Sequence, residues 1–494
     1  MTSKKRIAII GAGVGGLTAA AILARSFDVR VYERAPQAGG KIRQVAIGDG
    51  AIDSGPTVFT MAWVFEEVFA AAGTALNDHL SLNKLDVLAR HAWRDGGRLD
   101  LYADEIRTAE AIAEFSSRAD AENYLAFCAK TKRIFETLRD PFLCATQPSF
   151  ASLMMRSNPI ALLGTKPFST MWSELMASFK DPRLAQLFGR YATYCGSSPF
   201  EAPATLMLIA HVEQEGVWFL DGGMQAIATA LERVAKQNGA EFTYNAHVAE
   251  ITAGASNVSG FTLSNGEQID ADIVLYNGDT GAIDNGAMGA SARRAISLPA
   301  DRRRSQSAIT WSASATVADF DLSAHNVFFS DDYRSEFDSV FKRDGIPETP
   351  TTYVFAPDRV SNHAIHGAPE RLFILVNAPP IGDRHDFTQQ EIDACQTRMI
   401  DHLKHCGATV RINENASTVT TPADFANMFP GTGGALFGAA CHSWRASFQR
   451  PTVRAKIPGL YLAGGSVHPG PGVPMAALSG KAAAAAILRD SGVK

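Results

Sequence analysis

Cysteine is scarce in this chain, with six residues in 494 and no CxxC pair. Cys128, Cys144, Cys195, Cys395, Cys406 and Cys441 are scattered, which argues against a disulfide framework and for free thiols in a reducing compartment, the cytoplasm. A basic excess is also missing. Lys and Arg number 46 against 51 Asp and Glu, a net charge of −5, so nucleic acid is not expected as a partner. Purely electrostatic attraction to anionic lipid is disfavoured for the same reason. The tightest metal-like cluster is His402, His405 and Cys406, with no second ligand pair at zinc spacing, so no metal site is expected. No Ser/His/Asp set or paired carboxylate stands out, and the catalytic residue stays unassigned.

Long apolar runs are nearly absent too. Lys4, Lys5 and Arg6 precede Ile7–Ala24, a stretch without charge that resembles a signal or spanning segment, but Gly11, Gly13, Gly15 and Gly16 interrupt it. No other stretch is long enough to span a bilayer as a helix. The chain is expected to be soluble or to lie on a membrane surface.

What is present is apolar material for a sizeable core, 46% of residues, in a length that predicts two or three domains, some discontinuous. Arg6–Ile10 reads as a buried parallel strand, and Leu17–Arg25 as a helix. Between them stands Gly11-Ala12-Gly13-Val14-Gly15-Gly16, a GxGxxG in the strand–turn–helix context that the motif requires. Gly11 permits the tight turn, Gly13 admits a pyrophosphate to the backbone, and Gly16 lets the helix pack closely. The helix amino-terminus then offers N–H groups and a partial positive charge to phosphates. A second strand, Val29–Tyr32, ends at Glu33, where an acid accepts hydrogen bonds from a ribose. Together these features predict an ADP-containing dinucleotide.

Glu33-Arg34 followed by Gly39-Gly40-Lys41 suits a loop folded back over the pyrophosphate, with Lys41 as a point charge and Arg43 as a fallback. Here the chain resembles the flavoprotein superfamily of amine oxidases and carotenoid desaturases, whose motif continues with E-R and GG-R. Lysine replaces the more frequent arginine.

Further along, Asp53-Ser54-Gly55-Pro56-Thr57 is similar to a carotenoid desaturase loop that passes beside the flavin ring. Gly216–Met224 resembles the segment where that family's chain returns to the flavin domain, before a helix at Gln225–Gln237. By the same resemblance Val248 lies against the adenine, and Asn277, in Ala271–Asp279, lies near the cofactor. Gly260–Leu263, Asn265-Gly266 and Gln268–Ile269 predict a hairpin. The carboxy-terminus, Gly459–Met475, is a strand, a turn with Gly464 and Gly465, and a helix opened by Pro474 and Met475. Its His-Pro-Gly ending resembles the desaturases, whereas amine oxidases usually carry an acid after the first glycine.

The resemblance covers nearly the whole chain and is narrowest to the bacterial 1-hydroxycarotenoid 3,4-desaturases, through Asp53–Thr60, Ala202–Leu206 with Ala210–Glu213, and Val473–Gly480. It implies an α/β fold: a Rossmann-like FAD-binding domain with an inserted α+β substrate domain and a helical membrane-facing region. The corresponding divisions are 1–75, 220–289 and 441–494 for the FAD domain, 76–219 for the mainly helical region, and 290–440 for the sheet-containing substrate domain. It further implies FAD, an acyclic carotenoid, a peripheral place on a bacterial inner or photosynthetic membrane, and oxygen or a quinone as electron acceptor. A phytoene-type desaturase, a flavin amine oxidase and a carotenoid-holding flavoprotein without turnover remain open. Met154, Met155, Leu162, Leu163, Met171, Trp172, Leu175, Met176 and Phe179 form the candidate membrane face, and His468, His211 and Glu213 are the side chains that invite a proton-acceptor role. Arg302–Arg304 reads as a solvated basic run.

Overall fold

A computed structural model describes residues 5–48, 50–254, 256–360 and 367–493; Lys4 lies outside them. Two sheets organise the chain. The first is parallel and five-stranded, in the order Leu460–Leu462, Ile273–Tyr276, Arg6–Ile10, Asp28–Tyr32, Glu241–Thr243. Its central strand buries Ile7 to Ile10, the β-branched pattern of a strand covered on both faces.

The helix after that strand, Val14–Leu23, is buried along its whole length, because the helices Gln225–Gln237 and Val473–Asp490 pack against it. Glycine permits the contact: a Cβ on Gly480 would sit 2.2 Å from the Gly15 carbonyl oxygen. The hairpin is present as Val258–Leu263 paired with Gln268–Asp270, beside Val248–Ala253.

The second sheet has seven strands, in the order Thr409–Thr420, Ser307–Ala318, Glu370–Ala378, Thr352–Phe355, His325–Phe328, Val87–Ala92, Arg98–Tyr102. Its last two strands come from the 76–219 stretch expected to be mainly helical. Val87–Ala92 joins the sheet by parallel pairing with His325–Phe328. Helices begin at Glu105, with Glu105–Phe115 and Arg118–Leu138 in succession. The break falls where Ser117 turns its hydroxyl to cap the second helix, accepting from the Asp120 N–H at 3.2 Å.

Among the described residues no helix is long and apolar enough to cross a membrane. The candidate membrane face divides. Met171, Leu175 and Phe179 are core, whereas Met155 and Leu163 are 81% and 65% exposed, and Ile160 and Phe168, outside the expected set, are exposed beside them in the chain.

Candidate functional site

The fingerprint glycines, the Asn277 turn and the Gly464 turn converge at the carboxyl ends of the parallel strands, the usual ligand position in such sheets. Gly11, at φ +97°, donates its N–H to Tyr32 O at 2.8 Å. The Gly39 N–H donates to Ala12 O at 2.9 Å, and this lays the Gly39-Gly40 turn against Gly13. Asn277 reaches across with its Nδ2 donating to Gly11 O at 3.2 Å, and the Gly464 N–H donates to Ser479 Oγ at 2.7 Å.

Several groups here are prepared for a ligand. The helices that start after Gly13 and Gly472 have no side-chain cap, so their first-turn N–H groups are left to a ligand or solvent. A dinucleotide with a pyrophosphate fits this donor set.

The other predicted cofactor residues are placed as follows. Glu33 is buried, its Oε2 accepting from Ala12 N–H at 2.6 Å and its Oε1 from Ala35 N–H at 2.8 Å. Arg34 reaches Met428 O at 3.5 Å. Lys41 faces away from the fingerprint loop: its Nζ donates to Leu436 O at 2.7 Å and lies over the Phe429 ring, while burial lowers its pKa. Gly55 passes so close that a Cβ would sit 2.0 Å from Lys41 O. Val248 is buried at the start of its strand, and the Gly465 carbonyl accepts from Arg450 Nη1 at 3.2 Å.

Pro56, Thr57, Pro474 and Met475 border a second space, a cavity of about 350 Å³ between the seven-stranded sheet, the helical region and the start of the last helix. Its wall is mostly apolar, with Leu206, Ile209, Val212, Phe373 and Leu375 among its residues. Set into that wall are buried polar groups that sequence reasoning passed over, Glu213 excepted. Arg190 and Glu213 form an ion pair at 3.6 Å, and the hydroxyls of Tyr191 and Tyr194 donate to Glu213 at 3.0 and 3.1 Å. Tyr353 Oη lies 2.7 Å from both Thr57 Oγ1 and His325 Nδ1.

Glu336 accepts from Thr351 Oγ1 at 2.6 Å and Asn377 Nδ2 at 3.0 Å, and forms no ion pair among the described residues. Burial pushes its pKa up to about 7. One signal foretold it. Tyr333, Glu336, Phe337 and Val340 recur at helical spacing on the buried face of the helix Tyr333–Lys342.

His468 is a supporting residue. Its Nε2–H donates to Phe142 O at 2.8 Å, and burial lowers its pKa to about 4, which keeps the ring neutral. His211 packs on Phe135 and pairs with Glu215 at 3.6 Å, outside the cavity lining. Arg302, Arg303 and Arg304 each pair with a carboxylate, Asp284, Glu201 and Asp383.

An aromatic bridge joins the cavity to the exposed apolar patch. Phe142, in the cavity wall, packs on Phe448 with centroids 5.1 Å apart. Phe448 meets Phe150 and Trp444, and Trp444 meets Phe168.

This arrangement has relatives. The chain is 46% identical over 488 residues to a hydroxyneurosporene desaturase of Rubrivivax gelatinosus, covering 98% of this chain and 93% of that protein. It is 38% identical to a hydroxyneurosporene desaturase of Cereibacter sphaeroides, covering 98% of each. Among solved structures, an oxidoreductase of Methanosarcina mazei shares the fold, with TM-score 0.61 at 17% identity over 98% of this chain and 100% of that one. The family described as flavin containing amine oxidoreductase matches residues 14–488. The cofactor is FAD, and the chain belongs to the flavin containing amine oxidoreductases.

Proposed function

We propose that this protein is an FAD-dependent desaturase that introduces the C3–C4 double bond of an acyclic 1-hydroxycarotenoid in carotenoid biosynthesis. The observation that carries the reading is the apolar cavity bordered at once by the Gly55–Thr57 loop and by the start of the last helix. When bound, FAD supplies a two-electron oxidant that accepts hydride at its N5 from an allylic carbon. The protein's part is to hold, orient and keep dry.

In this reading Gly11, Gly13, Gly15, Gly16 and Gly40 line the pyrophosphate, and Glu33 meets the ribose. Arg34, Val248 and Asn277 complete the nucleotide side, and Lys41, held by Leu436 O, is left out of it. Gly55, Pro56, Thr57, Gly464, Gly465, Pro474 and Met475 take the flavin end. The helix that starts at Val473 directs its positive end toward charge developing there. Phe373, Leu375, Ile209 and Val212 exclude water and keep an extended polyene in contact with the reacting face.

Such a substrate is a long apolar polyene dissolved in a membrane, and the exposed Met155, Ile160, Leu163 and Phe168 are the surface through which the protein would meet the bilayer. The aromatic bridge through Phe448 would lead from that surface to the cavity. We place the protein peripherally on the cytoplasmic side of the inner or photosynthetic membrane, with oxygen or a quinone as the final acceptor.

The test is incubation of FAD-loaded protein with 1-hydroxyneurosporene in liposomes. The expected product lacks two hydrogens and absorbs at longer wavelength. Turnover of phytoene alone would overturn the substrate, and inertness toward every acyclic carotenoid would overturn the reading.

A further inference from the structure

The cavity wall holds an ion pair with spare donors. Arg190 and Glu213 are 8% and 4% exposed at their side chains. Glu213 is well supplied, by both tyrosine hydroxyls and the guanidinium. Arg190 is not. Its Nη1 donates to Tyr194 Oη at 2.9 Å and its Nη2 stands 3.6 Å from Glu213 Oε1, too far for a hydrogen bond, while its Nε is buried with no hydrogen-bond partner. A desolvated ion pair in an apolar wall is costly, and N–H groups left without acceptors add to the cost. A ligand that brings an oxygen to Arg190 would remove that cost.

Position narrows which oxygen. Arg190, Tyr194 and Glu213 border the same cavity as Tyr353, whose hydroxyl lies 2.7 Å from Thr57 on the loop assigned to the flavin end. In the proposed reaction a single carbon separates the hydroxyl-bearing carbon from the new double bond. A group that reads the hydroxyl must therefore stand near that loop, and the rest of the substrate offers only hydrocarbon.

We propose that Arg190, held by Glu213 and Tyr194, donates a hydrogen bond to the terminal oxygen of a hydroxylated acyclic polyene and so selects it over the unsubstituted hydrocarbon. The inference rests on the desaturase reading and adds the residue that sets its specificity.

Binding tests it without turnover. FAD-loaded protein in detergent micelles is titrated with a 1-hydroxylated acyclic carotenoid and with its parent hydrocarbon, and quenching of tryptophan fluorescence is followed. The wild type should prefer the hydroxylated compound by about tenfold or more, the worth of a hydrogen bond to a charged donor. The double substitution Arg190→Met with Glu213→Gln removes both charges together. It should bring the two affinities level while affinity for the hydrocarbon and FAD content are kept. If that variant does not fold, Tyr194→Phe, which takes an acceptor from Arg190 and a donor from Glu213 while keeping both charges, should reduce the preference about threefold. An undiminished preference in the folded variants overturns the inference. Equal binding of both compounds by the wild type overturns it too, and leaves the carotenoid reading standing. Binding of neither overturns both.

Discussion

The cleft at the fingerprint glycines and the apolar cavity lined by Thr57 and Pro474 are built in opposite ways. The cleft is made of backbone. Its contacts are glycine turns, helix amino-termini and backbone groups such as the Gly11 carbonyl and the Gly464 N–H, fixed by single side chains of Asn277 and Ser479. The cavity is made of side chains from distant elements, where Thr57 meets Tyr353 across 296 residues and Glu336 meets Asn377 across 41. A cleft of backbone tolerates few side chains and binds a common group. A cavity of side chains can change its polar fittings without touching the cleft, and specificity is the property that gains from that.

The largest test of this separation is Gly13→Val. At Gly13 φ is −76°, and a Cβ would meet only the tip of Asn277, Nδ2 at 2.9 Å, which can swing away. The fold should survive while FAD is lost, read as purified protein without flavin absorbance and with cooperative unfolding retained. Gly16→Val sharpens the point. Its Cβ would sit 2.2 Å from the Gly11 carbonyl oxygen, so that variant should fail to fold.

Next in size, Arg190→Met alone should leave the buried Glu213 charge uncompensated and cost about 3–5 kcal/mol of stability. Denaturant unfolding should show this loss, with FAD still bound once folded and with most of the loss restored by adding Glu213→Gln. Loss of flavin in proportion to loss of stability would mean that the two regions are not separable.

The smallest effect belongs to Glu336. Its folded pKa of about 7 lies above its ordinary value of 4.5, so the folded chain keeps a proton that the unfolded chain has released. That contribution is complete below 4.5 and is lost as pH rises through about 7. It amounts to roughly 3 kcal/mol. Glu336→Gln should flatten the fall in melting temperature between about pH 5 and about pH 8. An unchanged slope would show that Glu336 does not titrate there.

How much of this could be read from the sequence follows the same division. Arg6–Ile10 and Gln225–Gln237 stand where their patterns place them, because local periodicity and glycine punctuation define them. The first helix begins at Val14, before Leu17, since Gly15 and Gly16 already lie in its first turn. Strands Val87–Ala92 and Arg98–Tyr102 pair with each other locally, but the sheet they extend is reached only through His325–Phe328, which comes more than 200 residues later. In the site, the fingerprint glycines are legible as one contiguous motif, while Asn277 and Gly464 join them from later segments. Lys41 was the exception, since a cation beside glycines suggests phosphate while its burial turns it to Leu436 O. Arg190, Glu336 and Tyr353 look like ordinary members of helices and strands until the fold brings them around one cavity. Pattern reports that such residues are buried, not what they face.

The most direct test of the whole account is anaerobic mixing of the FAD-loaded protein with 1-hydroxyneurosporene in liposomes, following flavin and polyene absorbance together. The account predicts bleaching of the flavin in step with a red shift of the polyene. A flavin that stays oxidised while the carotenoid is demonstrably bound would contradict it, and would make this protein a carrier that has kept its cofactor.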